Sequence, residues 1–69
     1  MLAQNIRRLR YKKELSQEKL ARLADISTVT LVKIESGAAK EPTITTVAKI
    51  ASALNVPIDE LVGRVKNRG

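Results

Sequence analysis

The sequence predicts a small all-α domain, and three observations carry that prediction. Apolar residues recur at helical spacing in successive short stretches, and good capping residues (Ser16, Ser27 and Thr43) stand in front of three of them. The chain has 69 residues and no Cys. Without a cross-link, a chain this short must draw its stability from one compact core, which short-loop helical packing builds most readily.

The elements follow in order. Leu2, Ile6 and Leu9 line one side of a helix over about 2–13, with Asn5, Arg8 and Lys12 on the other. Ser16 caps a second helix over about 17–24, with Leu20, Ala21 and Ala24 inward. Asp25 makes the turn in left-handed backbone, and Ile26 plugs the corner. Ser27 caps a third helix over about 28–35, with Leu31 and Ile34 inward and Gly37 supplying the left-handed exit. Residues 37–42 form a loop closed by Pro42. Thr43 opens a fourth helix with Ile44, Val47, Ala51 and Leu54 inward, which Asn55 stops. Pro57 starts a last helix over about 57–62, with Ile58 and Leu61 inward and Gly63 at its end. Residues 1–63 thus read as one domain and 64–69 as a basic tail.

Composition narrows the function. Without Cys or His there is no disulfide framework, no ordinary zinc site and no Ser-His or Cys-His pair, so neither an enzyme nor a bound metal or cofactor is expected. Thirteen Lys and Arg against seven Asp and Glu give a net charge of +6, which favours a polyanionic partner. Tyr11 is the single aromatic residue, whereas single-strand binders stack bases on several rings. Duplex DNA is the better candidate. No apolar run approaches the roughly 18–20 residues of a membrane span, and the N-terminus lacks the order of a signal peptide, so a cytoplasmic location is expected.

Two short capped helices joined by about three residues form a helix-turn-helix, in which the second helix can protrude. The runs Leu15-Ser16-Gln17-Glu18-Lys19-Leu20-Ala21, Ile26-Ser27, Ile34-Glu35-Ser36-Gly37 and Ala53 to Leu61 give the sequence its family likeness. Over about residues 5–62 it resembles the Xre-type DNA-binding domains of phage repressors and Cro proteins. The resemblance implies a five-helix repressor-like fold. Asp25 and Asn55 stand where the family commonly has Gly, and both tolerate left-handed backbone.

The resemblance makes the third helix the recognition helix, whose N-terminal part reaches base edges in the major groove. Thr28, Val29 and Lys33 are the candidate base readers. Lys33 can donate to guanine, Val29 can touch only a thymine methyl, and Thr28 suits either base type. Val32 either packs on the groove wall or has no role. Phosphate contacts fall to Gln17 and Ser16 at the start of the second helix and to Ser36, Lys40 and the N–H groups around Ala38 after the third. Arg10 and Glu35 flank the buried stripes of their helices and can pair. Related repressors resemble this, with Arg10 turned also towards a phosphate.

Residues 1–22 hold seven basic side chains against Glu14 and Glu18. For Arg7, Arg8, Lys12 and Lys13 the main expectation is long-range attraction, with direct phosphate contact by one or two of them as the alternative.

The leading expectation is a sequence-specific transcriptional regulator that binds a pseudo-palindromic operator as a homodimer, with half-sites about 10 bp apart. Val56, Pro57 and Ile58 are candidates for the dimer contact, with Val62 and Val65 as additions; the same residues can instead close the core. An antitoxin or antirepressor-like protein-interaction module on the same fold is the alternative. Length and layout also resemble restriction–modification controller proteins, and no small-molecule effector is expected. A basic membrane-surface peptide fits poorly, because caps interrupt the apolar stripes every few turns.

Overall fold

The structure is a computed structural model that describes residues 2–39 and 42–62. These form α1 (Leu2–Lys12), α2 (Gln17–Leu23), α3 (Thr28–Ser36), α4 (Ile44–Leu54) and α5 (Ile58–Val62). No strand occurs among the described residues. Lys40, Gly63, Val65 and the 64–69 tail lie outside them.

Three helix starts follow directly from residue chemistry. Ser16, Ser27 and Thr43 are extended, and each side-chain oxygen accepts the N–H three residues on, from Lys19, Thr30 and Thr46. Each thereby satisfies an N–H that the helix itself cannot.

The exits share one device. Glu14, Asp25, Asn55 and Gly37 all adopt left-handed backbone, with φ of 58°, 58°, 62° and 86°. After the first three, the next residue donates its N–H back five positions: Leu15 to Arg10, Ile26 to Ala21 and Val56 to Ala51. Leu15, Ile26 and Val56 are all apolar and half-buried against the core, the hydrophobic contact that accompanies this kind of helix stop. The turn at Glu14 has no signal in the sequence, because Glu is an ordinary helix former.

The core joins Ile6, Leu9, Leu20, Ala21, Ala24, Leu31, Ile34, Val47, Ile50, Ala51, Leu54 and Leu61. Helix α1 packs on α3 and α5, α2 packs on α3 and α4, and α4 packs on α5. The sheltered side of the helix-turn-helix therefore rests on α1 and α4, which α5 in turn joins.

Several boundaries and faces differ from expectation. Helix α1 stops at Lys12, because left-handed Glu14 turns the chain early. Helix α2 stops at Leu23, with Ala24 as its last cap, and α5 begins after Pro57. Ile44 is 67% exposed, whereas Ile50 is fully buried. Ile44 is the first residue of α4, and a helical side chain leans towards the N-terminus, so it projects past the packed body. The true stripe is Val47, Ile50, Ala51 and Leu54, spaced i, i+3, i+4 and i+7. Asn5 is half-buried rather than solvated, and its Nδ2 donates to the Leu61 carbonyl at 2.8 Å, tying α1 to the end of α5.

Candidate nucleic-acid interface

Helix α3 presents two unlike faces. Leu31, Ile34 and Glu35 are buried, while Thr28, Val29 and Lys33 are exposed, Val29 at 64%. The short turn from Ala24 to Ser27 ties the start of α3 to the end of α2, and the Ser27 hydroxyl donates to Thr30 Oγ1 at 2.8 Å. All three candidate base readers are therefore on the solvent side of a helix fixed at both ends.

Behind that face lies a buried ionic cluster. Arg10 Nε donates to Glu35 Oε2 at 2.7 Å and Nη2 donates to Oε1 at 2.9 Å, a bidentate pair. Arg10 Nη1 donates to the Leu15 carbonyl at 2.9 Å, and its Cζ lies 4.6 Å from the Tyr11 ring centroid. The hydrogen bonds to Glu35 hold the guanidinium pKa above its ordinary value, against the opposing effect of burial. Arg10 is 6% exposed and three of its five N–H donors go to protein oxygens, so it braces α3 and the α1–α2 turn.

Two further side chains join the cluster. Gln17 Nε2 donates to Glu35 Oε1 at 3.1 Å, and Arg7 Nη1 donates to the Glu35 carbonyl. Arg7 is half-buried, unlike Arg8, Lys12 and Lys13, which are exposed. A cleft of about 340 Å³ opens above the cluster, lined by Arg7, Arg10, Tyr11, Gln17, Val32, Glu35 and Ser36. Arg7, Tyr11 and Val32 are the lining residues the sequence left without a definite place. The available signal was spacing: Arg7 stands three residues from Arg10 and four from Tyr11, on one face of α1.

The remaining expected contacts divide. Ser16 is exposed and caps α2 through its side chain; among the described residues, the Gln17 and Glu18 N–H groups have no partner in the chain. After α3, the Ser36 hydroxyl donates to the Lys33 carbonyl and accepts the Ala38 N–H, while the Ala39 N–H also goes to Lys33. The Ala38 and Ala39 N–H groups offered to a phosphate are thus already bonded within the chain, where they close α3. Val56 and Ile58 are half-buried against the core, and only Pro57 of that trio is exposed.

Comparison with known proteins now decides the family, since the helix-turn-helix family model matches residues 6–61. The chain belongs to the Xre-type helix-turn-helix family. It is 37% identical over 59 residues to the "Uncharacterized HTH-type transcriptional regulator RghRB" of Bacillus subtilis (strain 168), covering 86% of this chain. The match spans only 42% of that relative's length. The crystal structure of the restriction-modification controller protein C.AhdI from Aeromonas hydrophila superposes with a TM-score of 0.83 at 33% identity, covering 87% of this chain and 89% of that one. The helix-turn-helix fold read from capping and periodicity is the family's fold. No described helix is long and apolar enough to cross a membrane.

Proposed function

We propose that this helix-turn-helix protein is a sequence-specific duplex-DNA-binding transcriptional regulator that acts as a homodimer on a pseudo-palindromic operator, with α3 in the major groove. The observation that carries this reading is the division of α3: its inner face is fixed by core packing and the Arg10–Glu35 pair, while Thr28, Val29 and Lys33 face solvent. Rigid presentation of a few side chains on a helix is what base reading requires. In this reading Lys33 donates to guanine, Val29 packs on a thymine methyl and Thr28 completes the contact. Gln17, Ser16 and Lys40 hold the flanking phosphates, with Ser36 able to join them only by releasing the Lys33 carbonyl, and Pro57 with the edges of Val56 and Ile58 contributes to the dimer contact. The match along most of C.AhdI supports a role in the same class, control of a restriction–modification system.

Selection of bound duplexes from a random pool tests the reading, repeated with Lys33→Ala. The expected result is an enriched site with two-fold symmetry and half-sites about 10 bp apart. In the variant, preference at one guanine per half-site should relax, at about 1–3 kcal/mol. A pool with no symmetric enrichment contradicts the regulator reading. Unchanged preferences in the variant contradict the assignment of Lys33.

A further inference from the structure

Around the axis of α3, at about 100° per residue, Thr28 and Lys33 mark the two edges of the exposed arc, about 140° apart. Val32 and Val29 lie between them, at about 40° and about 100° from Thr28. Ser36 also falls in this arc, one turn further on, but its hydroxyl donates to the Lys33 carbonyl and accepts the Ala38 N–H. The middle of the face is therefore apolar. Val29 is 64% exposed and Val32 40%, and valine is a weaker helix former than alanine, so α3 gains nothing locally from either. Both are β-branched, and in a helix such a side chain keeps largely to one χ1 rotamer, which fixes the methyl groups it presents. Lys33 at one edge and the net charge of +6 match this face to a polyanion. Two valines are a small fraction of the roughly 800 Å² that each partner buries in a stable protein–protein interface.

We propose that Val29 and Val32 form a ridge that senses the C5-methyl group of operator pyrimidines, so that methylation of cytosine at C5 raises the affinity of the protein for its site. The inference rests on the DNA-binding reading above and gives Val32 a specificity-determining role beside Val29. In the major groove thymine shows an O4 acceptor and a C5-methyl group, whereas cytosine shows an N4 donor and no methyl. A valine side chain neither donates nor accepts a hydrogen bond, so it responds to the methyl and not to the polar atom beside it. To this ridge 5-methylcytosine is equivalent to thymine, and unmethylated cytosine lacks what both offer. Val29 and Val32 stand three residues apart, which places their Cβ atoms about 5–6 Å from one another. Successive bases of a strand rise about 3.4 Å and also turn about the axis, so the ridge spans two neighbouring pyrimidines. Each half-site thus carries a methyl-bearing dinucleotide near the guanine given to Lys33. Covalent marking of a cytosine in that step is an input to the regulator.

The test takes a duplex from the wild-type selection and replaces the thymines of one half-site, one at a time, by deoxyuridine, which removes the methyl alone. Two neighbouring positions should each lose about fourfold in affinity, the value of one buried methyl, and the other positions should lose nothing measurable. A C·G pair placed at either position should bind about fourfold more tightly when its cytosine is C5-methylated. Val29→Ser should abolish the methyl effect at one of the two positions and Val32→Ser at the other, with the guanine preference intact in both. Both variants alter exposed side chains, and their helical circular dichroism should match the wild type. The duplex series uses the wild-type chain, so it decides the question even where a variant fails to fold. Equal affinities across the deoxyuridine series and for the two cytosines, or a selected half-site without neighbouring thymines, overturn the proposal and leave a symmetric operator standing. A methyl effect undiminished in Val32→Ser at both positions overturns the role of Val32. A wild-type chain that enriches no duplex overturns both the proposal and the DNA-binding reading.

Discussion

Glu35 is 2% exposed and receives bonds from three side chains: Arg10 and Gln17 at its carboxylate and Arg7 at its carbonyl. Burying a carboxylate costs heavily unless it is paired, and here the partner is bidentate, so the pair is worth more for holding α1 against α3 than for net stability. Loss of one partner is a different matter. Glu35→Ala would leave the Arg10 guanidinium buried without its counter-ion, and we expect about 3–5 kcal/mol of destabilisation in urea unfolding, against under about 1 kcal/mol for exposed Glu18→Ala. Equal losses in the two variants would contradict the brace. The cationic side of the pair is insensitive to ordinary pH change. Arg10 is held above its unfolded-state pKa, so its contribution is complete below that value and is lost only as pH rises through the still higher folded value. Helical register made Arg10 and Glu35 legible as neighbours from the sequence. The arrival of Gln17 and Arg7 at the same residue was not, because it depends on three helices meeting.

At the scale of the element, what could be read depended on whether a residue's chemistry is local. Hydroxyl caps act within three residues, and Ser16, Ser27 and Thr43 all sit where the sequence put them. Left-handed exits were legible at Asp25, Gly37 and Asn55, residue types that tolerate positive φ, but not at Glu14, which gains nothing from it. Glu14 therefore bears a cost the other exits largely avoid. Glu14→Gly should stabilise the protein by about 0.5–1 kcal/mol, the left-handed penalty less the extra entropy Gly loses on folding. In thermal unfolding this is a rise of several degrees, at roughly 4–8 °C per kcal/mol for a domain of this size. Asp25→Gly and Asn55→Gly should each give a smaller rise; a larger one from either would contradict the argument. The misplacement of Ile44 has the same lesson from the other side. Period alone assigns it to the apolar stripe, and only the end of the packed body shows that nothing covers it.

Across the whole molecule, the net charge of +6 separates into parts with different work. Seven basic and two acidic residues fall within 1–22, yet Arg10 is neutralised by Glu35 and Arg7 is fixed against α3, which leaves Arg8 and Lys12 as the exposed cations of α1, with Lys13 just after it. Exposed charge of this kind draws the protein to any duplex and makes that attraction salt-dependent. Selection among duplexes requires side chains held at fixed positions, which the core and the Arg10–Glu35 brace provide for α3. The most direct measurement is accordingly the ratio of affinities for the selected duplex and a scrambled one, taken at one physiological salt concentration. A sequence-specific dimer should give a ratio of about 10³ or more, with saturation at two chains per duplex. A ratio near one would leave a basic protein with only non-specific attraction to DNA, and would contradict base reading by α3.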